Sequence, residues 1–441
     1  MKKSKLIFGI CAITIKILYD FQITHFLPKV YMHSLSYGIN FDRNKLIVGY
    51  LTFFILMLCF IKYQSNKNNT MTQCLTILFG LYYIPLNSSF YLNSLSYGYF
   101  VSTNLYCIFF VLLASIGIKK NSSQSLDTIN KKIYQMRLKD RIICTFSYII
   151  DISCIIYTYF YNGFSITLNI TDIYDVRNAF VGSTNLLTSF LFNFGGSVFI
   201  VISIYYAVKT KKYILLCLGV LAQLGIFSIA RQKTHLLVFF ILFGVYFLKK
   251  LKLLKKIKII FMISLTVLNV MSIIEFYIFN KSKLFTMLIR RMMYYPSWLN
   301  SIYYDYFSKH KLLLLTQDVF LIRKIGFNRY RESVLSIINN MYFDGLVSSP
   351  NSGLFSEAFM HFGYFGVIIF PIIDIILLKL LFKYIKYYDE AVQILLVIKI
   401  SISLSNIGIT SSIFCISYIV LIPITFILIK IQRYKYINFR F

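Results

Sequence analysis

Long apolar runs separated by short polar stretches repeat from one end of this chain to the other. A helix needs about 20 predominantly apolar residues to cross the hydrocarbon core of a bilayer. The pattern predicts crossings over 6–24, 46–61, 72–92, 98–118, 142–161, 183–207, 213–230, 235–248, 258–279, 359–381, 391–408 and 412–429. The expected fold is therefore all-α, a polytopic integral membrane protein of about twelve transmembrane helices.

Charge then orients the runs. Lysine and arginine crowd into alternate connections: Lys2, Lys3 and Lys5; Lys62 and Lys67; the basic stretch 119–141; Lys209, Lys211 and Lys212; the cluster 249–258; Lys383 and Lys386; and the tail after Lys430. The remaining connections are poor in lysine, among them the uncharged 94–97, the stretch 162–182 with Asp172, Asp175 and Arg177, and the short turn 408–411. Because cytoplasmic loops keep the basic residues, both termini are expected in the cytoplasm. The long connection 280–352 is then outside, before the tenth helix. It holds KLFTMLIRRMMYYPSWL and NRYRESVLSIINNMYF, which place apolar residues at helical spacing beside arginines. Such stretches suit amphipathic helices lying along the membrane interface, here a cap over one membrane domain covering 1–441. Pro296 is expected to end the first of them, and 348–353 (SSPNSG) to turn the chain before the next crossing.

With 441 residues, 58% hydrophobic and only 14% charged, at mean hydropathy +0.69, the soluble globular class is excluded. The net charge of +30 is read as an orientation signal, not as a nucleic-acid interface. The eight cysteines lie in or beside apolar runs, and no CxxC metal spacing or disulfide framework appears. The start, MKKSK before an apolar run, has no small-residue cleavage site after it and reads as an uncleaved first helix. There is no GxxxxGK[ST] phosphate loop and no HExxH, so neither metal nor cofactor is expected. Asp172 and Asp175 fit a solvated loop better than a metal site.

Under this topology eight of the twelve arginines face outward: Arg43, Arg177, Arg231, Arg290, Arg291, Arg323, Arg329 and Arg331. Most lysines face the other way. The planar guanidinium grips carboxylate or phosphate oxygens two at a time, so an outer surface that prefers arginine points to an anionic ligand, most naturally a phosphate or diphosphate. Arg231, in FSIARQKTHLLVFF, sits with Lys233 and His235 between two apolar runs, close to membrane depth, where ionisable groups are costly and face a cavity with a partner. Glu357 and His361, in SPNSGLFSEAFMHFGYFGVIIF, are four apart and share one helix face at the expected outer end; either can accept a proton. Gly363 and Gly366 are read as close-packing positions. Lys16 and Asp20 can pair at i,i+4, while Asp151, Glu275, Asp374 and Lys399 are too scattered to suggest a relay.

The layout and two local segments resemble the bacterial O-antigen and capsule repeat-unit polymerases. FSIARQKTHLL is similar to that family's helix-end segment with an arginine before an apolar run. NSGLFSEAFMHFGYFGVIIF is similar to its segment of an acidic residue followed by a phenylalanine–glycine pair and a second glycine. The resemblance implies a glycosyltransferase acting on undecaprenyl diphosphate-linked oligosaccharide in the bacterial cytoplasmic membrane, with a chain-length regulator as a further partner. Arg231, with Arg290 or Arg291 and Arg177, would hold the leaving diphosphate, and Glu357 or His361 would be the general base. Tyr294, Tyr295 and Trp298 would stack on sugar rings. An O-antigen ligase shares this chemistry and layout. A lipid-linked oligosaccharide flippase would instead show internal pseudo-symmetry and a charged central path, and a non-enzymatic scaffold would leave the arginine bias unexplained.

Overall fold

The structure is a computed structural model. It describes residues 2–30, 39–63, 69–116, 200–230, 233–316, 329–343, 350–386 (352 apart) and 388–408, with scattered positions in 148–161. Every regular element among them is helical: α1 Lys2–His25, α2 Leu27–Val30, α3 Arg43–Tyr63, α4 Thr70–Leu78, α5 Ile84–Leu92, α6 Tyr97–Ser115, α7 Ile200–Lys209, α8 Tyr213–Ala230, α9 Lys233–Lys250, α10 Ile257–Phe279, α11 Tyr295–Lys309, α12 Val334–Phe343, α13 Leu354–Ile385 and α14 Glu390–Asn406. Among the described residues, six helical stretches are long and apolar enough to cross a membrane: Ser4–Lys29, Arg43–Lys62, Thr70–Leu92, Tyr97–Ser115, Leu254–Phe279 and Leu354–Ile385. The protein thus has the helices of a multi-pass membrane protein. The crossings expected over 142–161, 183–207 and 412–429 lie wholly or largely outside the described residues.

The chain divides into two compact units. The first comprises Met1–Ile118, Lys255–Phe382 and Val397–Ser412; the second comprises Lys119–Leu254, Lys383–Leu396 and Ile413–Phe441.

At the centre of the first unit runs the stretch Thr70–Leu92, packed by α1, α3, α6, α10 and α11. It is the least apolar of the six candidate spans, at mean hydropathy 1.2, and the only one of them buried throughout. Arg43–Lys62 and Leu254–Phe279, at 2.0 and 2.2, are only 28% buried. The order is physical: a lipid-facing helix must be apolar around its rim, whereas a helix enclosed by protein can carry Gln73, Asn87, Ser88 and Ser89 wherever partners exist.

Thr70–Leu92 is not a uniform α-helix. Phe79–Tyr83 is π-helical and ends with Ile84 N donating to the Phe79 carbonyl, five residues back; Pro85 follows. The same sequence of events recurs at Phe285–Tyr294, where Tyr295 N donates to the Arg290 carbonyl before Pro296. Proline has no N–H to give and its ring crowds the carbonyl four residues back, so the helix widens one turn ahead of it. Pro296 therefore does not end the helix, as expected from sequence, but stands in the first turn of α11. Eleven residues of α11, from Pro296 to Phe307, are buried, and the π segment leads into the interior: Phe285 packs edge-on against Phe26, which stacks on Phe276, whereas Ile289 and Met293 share an apolar cavity with Leu81 and Leu265.

In the second unit α7, α8 and α9 pack on one another. Asp389, ahead of α14, ties the ends of two of them: it accepts from Lys249 at 2.8 Å, from Lys209 at 3.1 Å, from the Tyr205 hydroxyl, and from Ala391 N at 3.1 Å. Burial works against this carboxylate, but the bonds from Lys249 and Tyr205 and the charges of the two lysines outweigh it and hold its pKa well below the usual carboxylate range.

Candidate functional site

The site is built in the first unit by the segment 350–374. Its approach is pinned by α11 and the central helix. The Tyr303 hydroxyl donates to the Pro350 carbonyl at 2.7 Å. Asn300 Oδ1 accepts from both Ser356 N and Ser356 Oγ, each at 2.9 Å, and the Tyr82 hydroxyl accepts from Phe355 N at 2.7 Å. Gly353 permits this approach, because a Cβ there would stand 2.8 Å from the Asn300 amide. The first-turn N–H groups of α13 are thereby used by the protein itself: Glu357 N donates to the Gly353 carbonyl.

The helix that starts at Leu354 stops at Gly363, whose φ of 56° and ψ of −135° belong to a region open only to glycine. There the chain doubles back. Gly366 lies against the Ala358 carbonyl so closely that a Cβ would collide with it. The rings of His361 and Phe370 stack at 5.8 Å, and those of Phe362 and Phe370 lie 6.1 Å apart. Nine residues of straight helix would separate His361 from Phe370 by about 13.5 Å along the axis. α13 is thus two limbs, 354–362 and 364–385, and only the second has the length of a crossing.

This reversal changes where Glu357 sits. Phe355 meets Tyr82, and its ring packs edge-on against Tyr106 at 6.2 Å; those two tyrosines stand near the middle of Thr70–Leu92 and Tyr97–Ser115. At the other end of the short limb, Tyr364 Oη lies 3.2 Å from the position of a Gly98 Cβ, at the start of Tyr97–Ser115. The short limb therefore climbs from mid-span to span end. Glu357 lies within the thickness of the bundle, not at the outer tip of a helix as expected from sequence. The expected crossing 359–381 falls inside the candidate span Leu354–Ile385.

Glu357 and His361 are both fully buried. Gly408, after α14, closes over the Glu357 carboxyl; a Cβ at 408 would occupy its space. On the returning limb Asp374, also fully buried, accepts from the Tyr106 hydroxyl at 2.5 Å and lies close enough to feel the charge of Glu357. His361 is fixed differently. The helix break frees the carbonyls of Met360 and His361, which accept from Leu313 N at 2.9 Å and Leu314 N at 3.2 Å, and Leu315 N donates to His361 Nδ1 at 3.2 Å. Leu314 and Leu315 adopt φ of 51° and 63° to aim these groups, a costly conformation for leucine. With Nδ1 accepting, neutral His361 carries its proton on Nε2 and presents a donor there. Arg329 is spent on the same loop, donating to the Leu312 carbonyl at 2.8 Å.

The other expected site residues fare variously. Arg290, half-buried, and Arg291, exposed, occupy the π segment ahead of α11. Arg177 and Arg231 lie outside the described residues, and of Lys233 and His235 only the backbone, in the first turn of α9, is described. Tyr294 and Trp298 stack on each other at 6.3 Å and are buried, with Phe343 edge-on to Trp298 at 5.3 Å, so they pack the interior; Tyr295 is half-buried. Sequence reasoning missed Asn300, Tyr106 and Gly408, and treated Asp374 as isolated. No group of three metal-ligating side chains occurs among the described residues. Chemically, the arrangement offers a carboxyl group and an imidazole donor one helical turn apart, shielded from bulk water by the folded-back helix. Comparison with protein-family models, curated proteins and solved structures finds no match to this chain.

Proposed function

We propose that the protein is a membrane glycosyltransferase that polymerises undecaprenyl diphosphate-linked oligosaccharide repeat units into O-antigen or capsule. It would act at the outer face of the bacterial cytoplasmic membrane, with twelve crossings and both termini inside. The observation that carries the reading is Glu357, an acidic side chain held inside an apolar bundle by a half-helix whose turns are set by Gly363, Gly366 and Gly408. A carboxylate kept in such a place is expensive and marks function by default. The resemblance of 351–370 to the polymerase segment gives that carboxylate a task.

In the reaction, the acceptor sugar's hydroxyl oxygen bonds to the anomeric carbon of the growing chain. The bond from that carbon to the diphosphate breaks, and the diphosphate leaves with the electron pair. Glu357 takes the hydroxyl proton. His361 suits hydrogen-bond donation from Nε2 better than proton removal, because Leu315 N already occupies its Nδ1 lone pair. Arg290 and Arg291, in the same unit as Glu357, supply positive charge to the departing diphosphate. Exposed Tyr364 and Phe365, on the returning limb, are better placed to meet a sugar than buried Tyr294 and Trp298.

The test is Glu357→Gln in the native strain, read as the size profile of surface polysaccharide and lipid-linked glycan. Single repeat units with no long chains, at unchanged protein level, is the expected result. Normal long chains would overturn the assignment; long chains retained on the lipid carrier would instead identify a ligase.

A further inference from the structure

A cavity of about 280 Å³ opens in the first unit between α3, the stretch 70–83 and α6. Its walls are chemically one-sided. Three tyrosines line it, yet each sends its hydroxyl elsewhere: Tyr82 to Asn300 at 3.2 Å, Tyr83 to Asn104 at 3.3 Å, and Tyr106 to Asp374. The cavity meets their ring faces, aliphatic side chains and the sulfurs of Cys59 and Cys107. Water in such a space would find too few partners, so the surface suits hydrocarbon.

Its position narrows the choice. On α6 the lining runs from Tyr106 to Leu112, about 9 Å of helix reaching from mid-span toward the end at Ser115. On α3 it runs from Ile55, 60% exposed at the mouth, to Phe60. Two residues further, at the end of the same helix, comes Lys62, an exposed cation. Leu354, the first residue of the folded-back half-helix, also lines it.

We infer that this cavity binds one acyl chain of an anionic membrane phospholipid, with its phosphate at Lys62 and its chain end against Leu354. The chain then props the tip of the half-helix from below, three residues before Glu357. A polyprenyl carrier serving the proposed reaction would bring its diphosphate from the opposite end, beside Tyr364, so the occupant is a different molecule and the inference stands without that reading.

Photocrosslinking of the full-length protein in nanodiscs tests it. The probe is a phosphatidylglycerol with a diazirine in one acyl chain, and crosslinked peptides are mapped by mass spectrometry. Labelling is expected at 106–112, and Cys107→Trp, which fills the cavity, should cut it at least about tenfold. Labelling at Val267, 48% exposed on α10, should not change. Lys62→Ala should lower the preference for phosphatidylglycerol over phosphatidylcholine. Labelling at 106–112 no stronger than at Val267, or labelling there only by a diazirine polyprenyl phosphate, would overturn the inference. Should Cys107→Trp not fold, the wild-type protein decides. Its Cys107 thiol should react with a small alkylating reagent at least about tenfold more slowly in phosphatidylglycerol nanodiscs than in delipidated amphipol, and equal rates would overturn the inference.

Discussion

Among the described residues of the first unit two aspartates are buried, and their surroundings are opposite. Asp20, on α1, has a counter-charge one turn away: Lys16 Nζ lies 3.9 Å from its Oδ2 and donates to Asn87 Oδ1 at 2.9 Å and Ser88 Oγ at 2.6 Å. The same Oδ2 accepts from the Tyr50 hydroxyl at 2.7 Å and from the Tyr91 hydroxyl, and the rings of Tyr50 and Tyr91 flank the ammonium at 5.3 and 4.9 Å. Asp374 has one hydrogen bond, from Tyr106, no ion pair among the described residues, and another carboxyl group, Glu357, as its electrostatic neighbour. The first arrangement neutralises its charge and staples α1, α3 and α5. The second offers no counter-charge among the described residues, an arrangement that structure alone does not require.

The contrast can be broken experimentally. Lys16→Met removes the cation and strands Asp20, with an expected loss of about 3–5 kcal/mol, read as detergent-solubilised thermal unfolding; Asp374→Asn should cost far less. If the two variants melt together, Asp20 is no staple. Gly363→Ala forces a side chain into a conformation only glycine adopts freely, at about 1–3 kcal/mol. An unchanged melting temperature there would mean the chain does not reverse at 363. Tyr106→Phe takes one hydrogen bond from Asp374, worth about 0.5–1.5 kcal/mol. A loss as large as that of Lys16→Met would show that Asp374 is held as tightly as Asp20.

Much of the helical layout was legible in the chain because length and apolarity decide it: the candidate spans at Ser4–Lys29, Arg43–Lys62, Thr70–Leu92 and Tyr97–Ser115 fall where the apolar runs do. The Lys16–Asp20 pair was legible too, since four-residue spacing on one helix needs no knowledge of the fold. The site was legible only in part. FMHFGYFGVIIF reads as one apolar run, and nothing in its periodicity distinguishes a helix that passes through Gly363 from one that turns there. The meeting of Asp374 with Glu357 depends on that turn, as does the contact of Gly366 with Ala358. Pro296 misled for a related reason: proline disfavours the α-helical bond pattern, but a widened turn keeps the helix going, and whether it does depends on the partners that Phe285, Ile289 and Met293 find.

The burial of Thr70–Leu92 on all sides sets a problem of timing. A segment of such low hydropathy gains little from lipid alone, so it depends on neighbours to stay inserted. α1 and α3 precede it and are in place when it leaves the ribosome. Its wall on the far side, α10, begins at Ile257, and at ~5–20 residues per second that wall arrives roughly ten to thirty seconds later. For that interval the centre of the finished bundle lies at its edge, and the face that Gly80 later turns to α10 meets lipid, the translocon or an insertion chaperone.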